Sequence, residues 1–233
     1  MRTGPWIMTQ TWHNLLFVHT PVEPASLRPF LPPSVELDTF NGQAWLGVVA
    51  FRLSKIRLRG FPEVGLVSHF NEINLRTYVT QQGVPGVLFL SMDADNPLAI
   101  ALARPLFRLP YTCANIEFDR GSAGISFTCE RTSGPGMGAQ FKAAYRPQGP
   151  VYTSCRDTLE YWLTERYCYY GASKDHAYRC DILHPPWPLQ RSHASIARNT
   201  LAESLGLRAE RVEPTLHYAN KMTALIWKPQ RIR

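Results

Sequence analysis

His69-Phe70-Asn71-Glu72-Ile73-Asn74-Leu75-Arg76-Thr77-Tyr78-Val79 alternates along its whole length. Phe70, Glu72, Asn74, Arg76 and Tyr78 fall on one face of an extended chain, and Asn71, Ile73, Leu75, Thr77 and Val79 on the other. A period of two sustained this far predicts a β-strand, and the chain on either side continues the pattern. Trp45-Leu46-Gly47-Val48-Val49-Ala50-Phe51 is a continuous apolar run of strand length. Downstream, 86–93 reads as a third strand, joined to the second through the hairpin-sized Gln81-Gln82-Gly83-Val84-Pro85. Further strands are expected over 111–119, 122–131 and 138–146. Asp119-Arg120-Gly121-Ser122 and Ser133-Gly134-Pro135-Gly136 supply the turn chemistry between them. The close of the chain, 214–228, reads as two more strands.

Helical signals are fewer. Residues 24–31 have Pro early and Pro32-Pro33 after them, which suits one short helix. Asn96 followed by Pro97 and Leu98-Ala99-Ile100-Ala101-Leu102-Ala103-Arg104 combines an N-cap, Pro at the first helical position and good helix formers. Residues 154–166 open on Ser or Asp caps and place Leu159, Trp162 and Leu163 on one face. Antiparallel strands with a few short helices, and no sustained strand–helix alternation, indicate an α+β, mainly antiparallel β fold. No repeat or linker divides the chain. One domain is expected over 11–229, with residues 1–10 as an N-terminal extension open to disorder and either Met1 or Met8 as the natural start.

The 233 residues are 45% apolar, 12% aromatic and only 18% charged, with a formal charge of +7. Such a chain is long enough to bury a substantial core. The low charge leaves room for a covered surface, as in a homo-oligomer. The basic residues are scattered, which argues against nucleic acid as a partner; the densest group, Arg52, Lys55, Arg57 and Arg59, has the spacing of a solvated face. No secretory segment and no run of membrane-spanning length is seen, so no membrane partner and a cytoplasmic location are expected. The five cysteines, 113, 129, 155, 168 and 180, are odd in number, widely spaced and without C-x-x-C, as befits reduced thiols.

A second set of strings carries more specific information. Leu16-Phe17-Val18-His19-Thr20-Pro21-Val22, Ala44-Trp45-Leu46-Gly47-Val48-Val49, the strand 71–79, Leu163-Thr164-Glu165-Arg166-Tyr167 and His184-Pro185-Pro186-Trp187-Pro188-Leu189 recur in this order in the YqjF-like family of uncharacterised bacterial proteins, which the chain resembles from about Thr11 to Trp227. That family is placed in the acetoacetate-decarboxylase-like superfamily. The resemblance implies a conical, mainly antiparallel β-barrel with a central apolar cavity and short flanking helices. It also implies that Glu72, in Phe70-Asn71-Glu72, lies in the cavity, and that the segment from Asp93 through Arg104 to Pro110 is the one that delivers a Schiff-base lysine in true decarboxylases. Those enzymes have an Arg, five residues, then Pro-Lys. Here the spacing is kept, but Tyr111 and Thr112 stand where they carry two lysines. A phenol cannot form an imine, so Schiff-base decarboxylation at this position is excluded on chemical grounds. Lys142, in the alternating stretch 139–145, is the one lysine weighed as a substitute; its ordinary place is a solvated sheet face.

Glu72, Asn74 and Arg76 share a strand face, and the superfamily pattern brings Arg104 and Tyr111 near them. In the functional reading Arg76 or Arg104 clamps a carboxylate, Glu72 transfers a proton, and Tyr111 donates to a carbonyl or enolate oxygen. Asn74 and Cys113, two residues beyond Tyr111, complete the candidate lining. In the structural reading a buried Glu–Arg pair satisfies itself and Tyr111 is a core aromatic. The seven histidines show no ligand spacing; a pair such as His19 with His69 would have to be assembled from distant strands, and no metal is expected. There is no nucleophile elbow and no phosphate loop, and no cofactor is expected. The sequence therefore points to a protein that binds a small organic acid or carbonyl compound, or to an enzyme working without an imine. The alternative is an interaction protein, homo-oligomeric, with a filled cavity.

Overall fold

The structure is a computed structural model that describes residues 4–173 and 176–232. In chain order the elements are β1 (Met8–Val22), α1 (Pro24–Leu27), β2 (Glu36–Leu37), β3 (Ala44–Leu58), α2 (Gly65–Ser68), β4 (Phe70–Gln81), β5 (Val84–Ala94), α3 (Pro97–Phe107) and β6 (Tyr111–Gly121). They continue with β7 (Gly124–Arg131), β8 (Gln140–Tyr152), α4 (Leu159–Thr164), β9 (Cys168–Ser173), β10 (His176–Leu183), β11 (Leu189–Asn199), β12 (Thr215–Ile226) and β13 (Gln230–Ile232). All the strands belong to one sheet, ordered β13-β10-β9-β5-β6-β7-β8-β11-β12-β1-β3-β4-β2, with extra pairings β4–β5 and β10–β12.

Those two extra pairings close the sheet twice. One ring runs β4-β5-β6-β7-β8-β11-β12-β1-β3; the other runs β12-β1-β3-β4-β5-β9-β10. Strands β1, β3 and β4 are a wall common to both rings, so they are covered on both faces. Leu15 to Val18 and Val48 to Phe51 are accordingly all buried. A strand covered on both faces reads as a continuous apolar run rather than an alternation, which explains the run at Trp45–Phe51. On β4, Ile73 and Leu75 enter the main core with Val48, Ala50, Phe127 and Phe141. Glu72, Asn74 and Arg76 point into the second ring.

The mainly antiparallel expectation holds, with two exceptions that matter. Strand β6 lies parallel to β5, Met92 opposite Tyr111, and β9 also lies parallel to β5, Val87 opposite Tyr169. Parallel neighbours need a long crossover, and α3 provides it between β5 and β6. The helix starts as its sequence predicts, with the Asn96 side chain accepting from the Ala99 N–H at 2.9 Å and Pro97 in the first turn. The β4–β5 hairpin turns on Gln82 and Gly83, both at positive φ (50° and 73°), the geometry of a two-residue type I′ turn.

Several boundaries differ from expectation. Residues 8–10 are part of β1 rather than an extension: Met8 pairs with Ile226 on one side and Leu58 on the other and is buried. Beyond 229, β13 pairs with β10. The stretch 214–228 holds one strand, β12 (Thr215–Ile226), rather than two, because no turn residue interrupts its pairing with β1. The helix expected over 154–166 begins only at Leu159. Thr158 caps it, and Asp157 sits at φ 66° in the preceding turn, outside helical geometry. Strands β9 to β11 carried no signal that the sequence made legible.

The second ring depends on a close approach at Gly86. A Cβ there would meet Cys168 Sγ and Tyr170 Cε2 at 2.7 Å and the Cys168 carbonyl at 2.9 Å. Gly86→Ala is therefore expected to destabilise the protein by about 1–3 kcal/mol, the usual cost of overpacking. Urea unfolding checks this; an unchanged midpoint would mean that β9 moves aside freely.

Candidate functional site

A cavity of about 470 Å³ occupies the second ring, walled by β1, β3, β4, β5, β9, β10 and β12, with α2 and α3 flanking its mouth. Glu72, Asn74, Arg76 and Tyr111 all line it. Tyr111 arrives through the β5–α3–β6 crossover: it lies opposite Met92 on β5, and Glu72 lies opposite Ala94 on the other side of the same strand. From there the phenol reaches across β5. Its hydroxyl donates to Glu72 Oε2 at 2.7 Å, while Asn74 Nδ2 donates a longer bond, 3.4 Å, to Oε1.

Glu72 is 2% exposed. Burial pushes its carboxyl up to about 7; the hydrogen bonds from Tyr111 and Asn74 hold it down, and the charge of Asp93 adds to the rise. Burial, with the adjacent Glu72, drives the Tyr111 phenol well above its ordinary value. The pair is thus a carboxyl poised near neutrality and a phenol that keeps its proton. A general acid or base works best in that range.

Arg76 stands apart from this pair. Along the strand it is four residues from Glu72, about 13 Å at ~3.3 Å per residue. Its guanidinium lies over the rings of Phe17 (5.7 Å) and Tyr78 (5.8 Å), away from the carboxylate. No ion pair joins Arg76 to a carboxylate among the described residues. Opposite it the β4–β5 register skips Leu90, a bulge of the kind that re-aims side chains beside sites. Arg166, also in the lining, covers the Tyr78 ring at 5.0 Å; its Nη1 pairs with Asp38 and its Nε donates to the Trp162 carbonyl. The cavity therefore has two poles, a carboxyl–phenol pair and a cationic end. The single polar floor expected from the strand period is not what forms, because residues at a spacing of two share a face but not a place.

Two expected lining residues are elsewhere. Arg104 is exposed on α3 and is not part of the lining; its Nε and Nη2 donate to the Tyr111 carbonyl at 2.8 and 2.5 Å. It positions the strand that carries the phenol, and its guanidinium faces no cavity. Cys113 is half-buried and packs beside the cluster of Met92, Ala94, Ile100 and Tyr111. It is not part of the cavity lining, although it lies two residues beyond Tyr111 on β6. Lys142 is exposed, and no described lysine lines the cavity. The pair His19 with His69 does not form: His69 lies at the surface 3.5 Å from Glu63, whereas His19 is fully buried with its ring 6.1 Å from that of His217. Burial, then the nearby Arg76 and His217, lowers His19 well below its ordinary value, so it is neutral. Among the described residues no three His, Cys, Asp or Glu side chains converge as a metal site.

Among the lining residues that sequence reasoning did not single out are Arg166, His184, Phe17 and Trp187. His184 is wedged between Tyr167 (4.7 Å) and Trp187 (5.0 Å), with Nδ1 2.7 Å from the Pro185 carbonyl. The signal available was the density of aromatic and charged residues in 163–167 and 184–189. It has no period, and so indicates no face.

A family model, DUF2071, described as an uncharacterized conserved protein, matches residues 9–223. The uncharacterized protein YqjF of Bacillus subtilis (strain 168) is 43% identical over 224 residues, which cover 96% of this chain and 92% of that protein. Among solved structures, an acetoacetate decarboxylase-like enzyme from Sphingomonas wittichii RW1 aligns with a TM-score of 0.67 at 13% identity, over 99% of this chain and 94% of its own. The enduracididine biosynthesis enzyme MppR complexed with pyruvate aligns with a TM-score of 0.65 at 13% identity, over 99% and 91%. At such identities the two structures establish the fold: the doubly closed sheet is the acetoacetate-decarboxylase-like architecture. Among the described residues no helix is long and apolar enough to cross a membrane.

Proposed function

The chain belongs to the DUF2071 family, and from that premise we propose that its cavity binds a small carbonyl- or carboxylate-bearing organic compound and moves a proton on it without forming an imine. The observation that carries this reading is the 2.7 Å hydrogen bond between Tyr111 and a Glu72 carboxyl that burial pushes up to about 7, inside a ligand-sized cavity. Arg76, with no carboxylate partner, is the anchor for the anion. Ionised, Glu72 accepts a hydrogen bond from the phenol and is the base toward the ligand. Protonated, it donates to the phenol oxygen, and the Tyr111 O–H is released to polarise a ligand carbonyl. One proton thus switches the pair between base and donor. The pyruvate held by MppR, a protein of the same fold, is a compound of this class.

A thermal-shift screen of oxo and hydroxy acids tests the reading. At least one acid is expected to stabilise the protein, and Arg76→Ala is expected to abolish that shift. Arg104→Ala should leave it in place, because Arg104 faces away from the cavity. Failure of every acid to stabilise the wild-type protein would remove the proposal.

A further inference from the structure

The cavity is larger and less polar than a short oxo acid requires. At the ~30 Å³ that a water takes in the liquid, its 470 Å³ holds roughly fifteen non-hydrogen atoms. A three- or four-carbon oxo acid would leave more than half of it unfilled. Its mouth is apolar as well. Leu98, Leu102 and Leu106 recur every four residues on one face of α3 and are 50%, 57% and 44% exposed; Phe61 and Leu66, on the facing loop and α2, are 67% and 78% exposed. These five side chains also belong to the cavity lining. The exposed patch and the cavity wall are therefore one continuous surface, and an apolar patch of this extent marks a binding surface.

Strand β4 gives the direction. Phe70, at the α2 end, Glu72, Asn74 and Arg76 line the cavity in succession. From Phe70 to Arg76 the strand rises about 20 Å. Along β4, polarity thus increases from Phe70, past the Glu72–Tyr111 pair, to the end where Arg76 and Arg166 flank Tyr78; at the α2 end the lining also holds Arg57 of β3, whose Nε donates to the Thr9 hydroxyl.

We infer that the ligand is an elongated amphipathic carboxylate: a medium-chain acyl or alkyl acid of roughly a dozen carbons. Its anionic head meets Arg76, its tail lies along Leu98, Leu102 and Leu106, and the Glu72–Tyr111 pair faces the chain several carbons from the head. This deepens the function proposed above and rests on it for the role of Arg76.

Calorimetric titration with straight-chain carboxylic acids from four to sixteen carbons tests it. Affinity is expected to rise about fourfold per methylene, the equivalent of ~0.8 kcal/mol, and to level off near a dozen carbons. Leu102→Asp, at an exposed position that folding tolerates, should weaken dodecanoate about tenfold and leave butyrate within about twofold. Arg76→Ala should weaken all lengths by a common factor. Butyrate binding as tightly as dodecanoate would overturn the inference while leaving the site reading intact. Absence of binding at every length, oxo acids included, would remove both. If Leu102→Asp turned a dimer into a monomer without changing acid affinity, the leucine rim would belong to a second copy of the chain, and the inference would again fall.

Discussion

Replacing Arg131 by methionine is expected to cost about 3–5 kcal/mol of stability, and to lower the melting temperature by about 10 °C in a chain of this length. Arg131 and Asp93 form an ion pair with neither side chain exposed, Nε to Oδ1 at 2.6 Å and Nη2 to Oδ2 at 2.8 Å. Thr112 donates to the same carboxylate, and Arg131 also bonds Ser91 and the Pro135 carbonyl. Removing the arginine leaves Asp93 charged and buried beneath the β5–β6 junction. That penalty, rather than the strength of the pair itself, sets the size of the effect. The double variant Arg131→Met with Asp93→Leu should therefore recover much of the loss, because no buried charge is then left alone. Chemical denaturation of the three proteins checks this. A single variant as stable as wild type would show that water reaches Asp93. The pair also serves the site: Thr112 follows Tyr111 in β6, so the network pins the strand that holds the phenol against Glu72.

The second large effect concerns pH. With the Glu72 carboxyl raised from 4.5 to about 7 in the folded protein, the native state holds a proton that the unfolded chain has already released across that interval. Stability contributed by Glu72 is then fully present below pH 4.5, declines as pH rises, and is lost above about pH 7, where a buried carboxylate must be tolerated. The whole change is about 3 kcal/mol. Glu72→Gln keeps a partner for the Tyr111 hydroxyl and carries no charge. It should match wild type near pH 4.5, exceed it increasingly up to about pH 7, and hold a constant advantage above that. Urea unfolding of both proteins from pH 4.5 to 8 reads the difference directly; parallel curves would show that Glu72 titrates as an exposed carboxylate.

What could be read in advance was local. The alternation at 69–79 placed Glu72, Asn74 and Arg76 on one face, and the Asn96-Pro97 start located α3, since caps and strand periods act over a few residues. The spacing from Arg104 to Tyr111, through its likeness to a known segment, brought the phenol to the acid. Strands β9 to β11 escaped for separate reasons: β9 is buried on both faces at Cys168, Tyr169 and Tyr170, β10 is partly buried without a period, and β11 alternates in burial but turns mostly polar or small residues, Gln190, Ser192 and Ala194, inward. Arg104 and Cys113 were misplaced for a different reason. A spacing fixes which way a side chain starts, whereas packing decides what it meets: on α3 the Arg104 guanidinium turns to the Tyr111 carbonyl, and Cys113 stays out of the lining.

Sequence alone determined that this chain is a β-rich protein with a phenol at position 111, where no imine can form, because bond-forming capacity belongs to the residue itself. Only the tertiary structure decided that the sheet closes twice, that the Arg104 guanidinium braces the strand at Tyr111, and that the Glu72 carboxyl and the Arg76 cation stand at separate poles of one cavity. Those outcomes depend on pairings such as β5 with β9 and β10 with β12, between segments far apart in the chain. No local pattern encodes such pairings; they follow from burying both faces of β1, β3 and β4 at once.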